Sequence, residues 1–249
     1  MDSPSSGTPM SQVRRFFALS EERNGDTITV ESQYHHMARV LRMRVGDEAI
    51  ICFNDGMEHL SRVDSIDSKC VKLTILSSKQ SDSENSYDTT LYFGVCKGDK
   101  NDFVVQKAVE LGVNRVVLFD SKYTVGGCDE KKLERLNRIA LEASKQCGRA
   151  VLVEVYHMTF NEVCRQLSAY DISLMCYEKQ QYTTLFDVLP ERPQKIAVVI
   201  GSEGGFAPEE VELAINSGAV GITLGKRILR AETAPLYVLS LLDGILGRQ

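Results

Sequence analysis

Two short stretches in the C-terminal part of the chain hold the residues best suited to chemistry. Residues 201–206 read GSEGGF and residues 224–234 read LGKRILRAETA. Glycines in a strand-to-helix turn let a ligand approach the main chain, and the free N–H groups at the start of the following helix form a polar rim. The first stretch is not a phosphate loop of the Walker kind, because no Lys-Ser/Thr pair follows it. It also lacks the G-x-G-x-x-G spacing of dinucleotide sites, and Glu203, Glu209 and Glu210 oppose a phosphate ligand. A ligand carrying a cation, an amine or an adenine suits it better. The second stretch adds Gly225 for a tight turn and gathers Lys226, Arg227 and Arg230 beside it. The same residues would also serve as plain strand-loop-helix connections with solvated charges, and the two stretches alone leave that reading open. Metal and hydrolase chemistry find less support. His35 and His36 are adjacent while His59 and His157 stand alone, so zinc-ligand spacing is missing and no metal is expected. Ser202 sits in G-x-E, not in a G-x-S-x-G elbow.

The elements that must position these loops are legible from periodicity. Residues 1–11 are rich in Ser, Pro and Gly and read as a disordered leader. Over 12–80 short alternating strands (27–30, 48–53, 60–66 and 70–76) are separated by turn signals such as Asn24-Gly25 and Asn54-Asp55-Gly56, which predicts a small β-barrel. A helical piece over 32–41 interrupts it and carries His35, His36 and Arg39, with Arg42 and Arg44 just beyond. Residues 81–89 are polar and Ser-rich and read as a linker. From 90 to 249 the grammar becomes alternating strand and helix: strands over 91–95, 116–119, 151–155, 172–177, 195–200 and 222–224, helices over 101–111, 131–147, 159–167 and 208–217. Gly112 and Gly148 end two of these helices. A last helix begins with Thr233 as its N-cap and Pro235 in its first turn, with Leu236, Leu239, Leu242, Ile245 and Leu246 on its apolar face. That order predicts an α/β fold, a parallel sheet covered on both faces, with both special loops at its carboxyl edge.

The net charge of -5 supplies no global attraction to nucleic acid, so an RNA partner would have to meet local basic patches. Arg14 and Arg15, Arg39, Arg42 and Arg44, Lys97 and Lys100, and Lys145 and Arg149 supply such patches. Seven cysteines, an odd number without a C-x-x-C pair, point to a reducing compartment. No apolar run approaches the ~20 residues of a membrane span, and a cytoplasmic protein is expected.

In order along the chain, HHMARVLRMRVGD (35–47), KGDKNDFVVQKAVELGV (97–113), EASKQCGRA (142–150), GSEGGF and LGKRILRAETA closely resemble the RsmE family, which methylates N3 of a uridine in small-subunit (16S-type) ribosomal RNA. The resemblance covers essentially everything after Ser11. It implies a PUA-like β-barrel joined to a SPOUT domain, an α/β-knot methyltransferase fold with a trefoil-knotted parallel sheet. Topology rules alone would not have suggested a knot. It implies S-adenosyl-L-methionine as cofactor, held by Cys176, Tyr177 and Glu178, by Ile200, Gly201, Glu203, Gly204 and Gly205, and by Leu224, Gly225, Ile228, Leu229, Arg230, Thr233 and Ala234. A homodimer with the substrate site near its interface is implied as well. Two positions depart from the family: Ser202 stands where a proline is usual, and Tyr123 where an arginine is usual, with Lys122 as a substitute contact.

Methyl transfer from a sulfonium needs an in-line nucleophile and removal of the uracil N3 proton. The expected catalytic set is Arg230, which would stabilise negative charge on the uracil oxygens, with Glu232 or Glu203 moving the proton or fixing the arginine. The expected RNA contacts are Arg14, Arg15, Arg39, Arg42, Lys97, Lys122 and Arg149. A SPOUT enzyme with another acceptor, such as a ribose hydroxyl, and a non-catalytic ribosome-assembly factor are the competing readings.

Overall fold

The computed structural model describes residues 13–247, so the expected leader lies outside the described residues. The chain divides into two compact units. One runs up to Glu84 and takes in Gly148–Val151; the other comprises Asn85–Cys147 and the chain from Leu152 onward.

In the first unit β1 (Arg14–Phe17), β2 (Arg23–Asn24), β3 (Thr27–Val30), β4 (Glu48–Cys52), β5 (Met57–Ile66) and β6 (Val71–Gln80) make one six-stranded sheet, in the order β1-β4-β5-β6-β3-β2. Only β1 with β4 is parallel. Alternation along the strands sends Phe16, Ile28, Val30, Ile51, Val63 and Leu73 into a core shared with Met37, each large side chain contributing about 1.5–3 kcal/mol by leaving water. Register shifts between β5 and β6 curve the sheet around that core. The short β1 and β2 escape a periodicity search, having too few residues to alternate. β6 runs past the expected end at residue 76 because its polar end pairs with the start of β5, Lys79 opposite Glu58.

The helical piece forms as a π-helix, His35–Val40. Arg42 follows it in left-handed backbone (φ 52°), an unusual conformation for a side chain of its size. The polar stretch after β6 is tied down: Ser81 Oγ donates to Glu58 Oε1 (2.9 Å), Ser83 Oγ to the Gly148 carbonyl (3.0 Å), and Glu84 accepts from the N–H of Ala150 (2.9 Å) and Val151 (3.1 Å).

The second unit contains β7 (Asp88–Gly94), α1 (Lys100–Glu110), β8 (Arg115–Asp120), α2 (Glu130–Cys147), β9 (Glu154–Thr159), α3 (Phe160–Leu167), β10 (Ile172–Cys176), α4 (Leu185–Val188), β11 (Lys195–Ile200), α5 (Pro208–Asn216), β12 (Ala219–Ile222) and α6 (Thr233–Leu246). Its strands form a six-stranded sheet, β12-β10-β11-β7-β8-β9, with every pairing parallel. Successive strand residues face opposite sides. Leu91, Phe93, Leu118, Val198 and Ile200 pack with α1, α2 and α6, while Tyr92, Phe119, Met175 and Val199 pack with α3 and α5. The strand expected over 151–155 begins instead at Glu154, since the N–H groups of Ala150 and Val151 are already bound to Glu84. The last strand ends at Ile222 rather than beginning there, because its register against β10 sets Ala219 opposite Ser173 and Ile222 opposite Cys176. The single-turn α4 was not expected; Thr184 and Asp187 cap it. Thr233 is not the N-cap of α6. Glu232 occupies that position, and Thr233 is the first helical residue. Among the described residues no helix is long and apolar enough to cross a membrane.

Candidate active site

The winding direction of the parallel sheet reverses where β7 pairs with β11, and the loops leaving their carboxyl ends meet there. Gly94, the last residue of β7, lies so close to the 201–206 loop that a Cβ on it would come 2.3 Å from Ser202 N and 2.8 Å from the Gly201 carbonyl carbon. The loop itself is a tight turn in which Gly205 N donates to the Ser202 carbonyl (2.9 Å) and Gly205 takes φ +67°. Ser202 Oγ is buried without a hydrogen-bond partner. On the other flank Tyr123 packs on Gly204, where an added Cβ would stand 2.6 Å from the Tyr123 Cβ. The residue that departs from the family at 123 thus acts as a wall of this loop.

The loop after β10 joins the same edge. Tyr177 N donates to the Ile222 carbonyl (3.1 Å) and Thr223 N to the Thr183 carbonyl (2.8 Å), which fastens it to the loop after β12. Cys176 ends β10 inside the core, its thiol pushed up to about 12 by burial, and is inert packing rather than a nucleophile. Glu178 is exposed, with its carboxylate 3.5 Å from where a Gly205 side chain would begin. In the third loop Gly225 turns at φ +112° with open space around it. Leu224 and Leu229 pack against the core, and Ile228 is 83% exposed. Ala234 is buried and Thr233 exposed at the start of α6. Sequence-distant segments therefore place the expected cofactor residues at the carboxyl ends of β10, β11 and β12 and in the loops that follow them, with open main chain at Gly225.

The charged groups are arranged differently from expectation. Glu203 does not reach Arg230. It accepts from Lys100 Nζ (2.9 Å) and from the N–H of Lys97 (3.2 Å), and Lys100 Nζ also lies 3.6 Å from Glu232 Oε2. Burial pushes the Glu203 carboxyl up, but the Lys100 ammonium, its own loop N–H, the Cys96 thiol and the Lys97 N–H outweigh it and hold the group at about 2. So weak a base is a poor proton acceptor, which leaves Glu203 a structural carboxylate. Glu232 keeps one buried oxygen, Oε2, without a hydrogen bond. Arg230 is exposed, and among the described residues its guanidinium makes no hydrogen bond or ion pair; only its carbonyl is used, accepting from Thr233 N (2.9 Å) and Ala234 N (3.1 Å). Lys100, absent from the expected site, is the residue that the structure adds. Glu203 and Glu232 lie more than a hundred residues away from it in the chain, and no local pattern carries that pairing.

Two expected RNA contacts are corrected. The Arg15 side chain is only 10% exposed, bonded to Glu58 Oε1 (3.1 Å) and Cys52 Sγ (3.2 Å). Arg149 is 3% exposed and bound to Glu84 (Nη2 to Oε2, 2.6 Å). Each belongs to a largely buried ion pair whose loss would strand a charge, so neither is free for phosphate. Arg14, Arg39 and Arg42 remain exposed on the first unit, with Arg14 Nη1 donating to the Leu41 carbonyl (3.0 Å) next to Arg42. Lys97 is exposed at the sheet edge. Lys122 lies nearby, its ammonium paired with Glu209 and its N–H donating to Glu210 Oε1 (2.7 Å).

Comparison with known proteins identifies both domains. Residues 83–243 match the RNA methyltransferase domain family, and residues 28–76 match the RNA methyltransferase PUA domain. The ribosomal RNA small subunit methyltransferase E of Bacillus subtilis is 32% identical over 232 residues, covering 88% of this chain and 90% of that protein. Among solved structures, a ribosomal RNA small subunit methyltransferase E from Neisseria gonorrhoeae bound to S-adenosyl methionine superposes with a TM-score of 0.83 at 28% identity, covering 93% of this chain and 97% of the other. A methyltransferase from Legionella pneumophila in complex with the same cofactor gives 0.81 at 26% identity, covering 94% and 98%. The loop edge fits such a cofactor: the main chain is open at Gly225, and the exposed Glu178 carboxylate beside Gly205 is at hand for an amine or ribose hydroxyls. With a PUA domain ahead of a SPOUT α/β domain, the chain belongs to the ribosomal RNA small subunit methyltransferase E family.

Proposed function

We infer that this protein uses S-adenosyl-L-methionine to methylate N3 of a specific uridine in small-subunit ribosomal RNA. The observation that carries the reading is Arg230, unpaired among the described residues, standing in the loop beside an edge where Lys100 pairs with Glu203 and Glu232. When bound, the cofactor supplies an electrophilic methyl group that a ring nitrogen can take in one in-line displacement. The residues of the chain do the rest. Gly201 and Gly204 let the turn pack against Phe206 and Tyr123, Gly205 and Gly225 would leave main chain within reach of the cofactor, Glu178 would accept from its donors, and Leu224, Ile228 and Leu229 would offer an apolar surface to its base. Arg230 orients the uracil and stabilises the negative charge that spreads onto its oxygens as N3 loses its proton. Glu232, whose buried Oε2 makes no hydrogen bond and lies 3.6 Å from Lys100 Nζ, receives that proton or passes it to water. Mass mapping of the nucleosides of small-subunit RNA from cells with and without the protein tests the reading. N3-methyluridine must disappear in its absence, and a lost ribose methylation instead would move the acceptor to a 2′-hydroxyl.

Docking belongs to the first unit in this reading. RNA is recognised through backbone charge and splayed bases, and Arg14, Arg39 and Arg42 form an exposed basic group suited to phosphates. Arg39→Glu with Arg42→Glu is expected to weaken RNA binding at least tenfold and to flatten the plot of log affinity against log salt by roughly 1.4. Calorimetric affinity for S-adenosylmethionine should stay unchanged. RNA affinity that survives both substitutions would remove this face from the reading. A cytoplasmic homodimer completes the proposal, supported by exposed apolar side chains such as Phe103, Tyr237 and Ile228 on the second unit and by free cysteines suited to a reducing compartment. A monomer in sedimentation at working concentration would count against the dimer.

A further inference from the structure

Lys100 joins two loops that the sequence keeps far apart. It opens α1 and sends its ammonium to 2.9 Å from Glu203 Oε1 in the loop after β11 and 3.6 Å from Glu232 Oε2 at the start of α6. Its own placement is rigid. Asn101, fully buried, accepts from the N–H of Cys96 (3.0 Å) and donates to the Cys96 carbonyl (2.6 Å), closing the turn that delivers Lys100. Glu203 is pinned to the same turn by the N–H of Lys97.

The arithmetic of charge gives this arrangement a purpose beyond fastening. Glu203 and Glu232 balance Lys100 and Arg230, so the four groups are neutral together. Arg230 stands two residues before Glu232 in the same loop; a guanidinium within reach of an unengaged carboxylate would be drawn into bidentate pairing with it, and a paired arginine cannot reach a substrate oxygen. Lys100 supplies the competing cation. We propose that Lys100 is a positioning residue for methyl transfer: by engaging Glu203 and Glu232 it keeps the Arg230 guanidinium open to the substrate base and holds the two loops in register. The inference rests on the methyl-transfer reading above. Loss of Lys100 would leave a net negative charge at the site, opposing the phosphates of an incoming RNA and releasing Glu232, two residues along the chain, as a partner for Arg230.

The test compares the full chain as wild type, Lys100→Met and Lys100→Arg, using transcribed small-subunit RNA and S-adenosylmethionine. Cofactor calorimetry and thermal unfolding run alongside. For Lys100→Met, kcat should fall by about 30- to 100-fold, the scale of a misplaced reacting group, while the cofactor Kd moves by less than about threefold. Lys100→Arg, which keeps the charge and the donors, should return to within about fivefold of wild type. Unchanged kcat in the Met variant overturns the proposal. So does a parallel loss of activity, cofactor affinity and melting temperature that arginine fails to restore, which is the mark of a merely structural strut. Lys100→Gln serves if the Met variant does not fold. A wild-type chain that methylates no nucleoside of the RNA defeats the functional reading and the proposal together, whereas an active wild type with an equally active Met variant defeats the proposal alone.

Discussion

Arg230→Ala is expected to lower methyl transfer by about 10² to 10³-fold, the loss seen when a preorganised donor to a developing anion is removed. The guanidinium is exposed and, among the described residues, unpaired, so its removal strands no buried charge and should leave folding intact. The S-adenosylmethionine isotherm should move by less than about fivefold, because the glycine turn and the apolar residues of the three loops remain in place. Single-turnover measurement with saturating cofactor isolates the effect in the chemical step. Transfer at near wild-type rate with cofactor binding unchanged would end the assignment. A large loss of cofactor affinity with little change in the single-turnover rate would make Arg230 a cofactor ligand instead. Arg230→Lys should recover little, since a point charge cannot present the planar donor fork that matches adjacent ring oxygens.

Gly94→Ala carries the second large effect. Its Cβ would stand 2.3 Å from Ser202 N and 2.8 Å from the Gly201 carbonyl carbon, and both obstacles are main chain. Neither can rotate away, so β7 and β11 must separate or the 201–206 loop must shift. We expect a destabilisation of about 3 kcal/mol, at the upper end for overpacking, and a loss of cofactor affinity exceeding roughly tenfold. Gly98→Ala is the control. Gly98 also has positive φ (+67°), yet nothing lies within 4 Å of the position, so only about 1 kcal/mol of backbone strain is expected, with cofactor affinity kept. Denaturant unfolding and calorimetry on the two variants decide the matter. A Gly94→Ala protein that binds S-adenosylmethionine normally would show that the close approach of β7 to the loop is not required for the site.

Much of this is legible in the chain alone. The near-continuous apolar runs of 91–95 and 195–200 demand a sheet buried on both faces, because apolar residues stand on both sides of each strand. The glycines of 201–205 announce bare main chain at a strand end, and Gly225 a tight turn. These are local properties. A strand two residues long, the π-helical winding of His35–Val40 and the late start of β9 are not legible, since each depends on what lies across space: a hairpin partner, a core neighbour, a carboxylate already holding the N–H groups of Ala150 and Val151.

The basic residues show the division most sharply. By composition Arg15 and Arg149 are indistinguishable from Arg14 and Arg39, yet the first two are largely buried against Glu58 and Glu84 while the others face outward. The sequence by itself determined the α/β class and two of the loops at the sheet edge, because periodicity and glycine placement act over a few residues, and its motifs carried the resemblance that implied the family and the third loop. Only the tertiary structure decided which charges are spent on folding and which stay available for the substrate. An ion pair such as Lys100 with Glu203 and Glu232 forms between residues brought together by strand order, and its partners are chosen by distance and burial rather than by any neighbour in the chain.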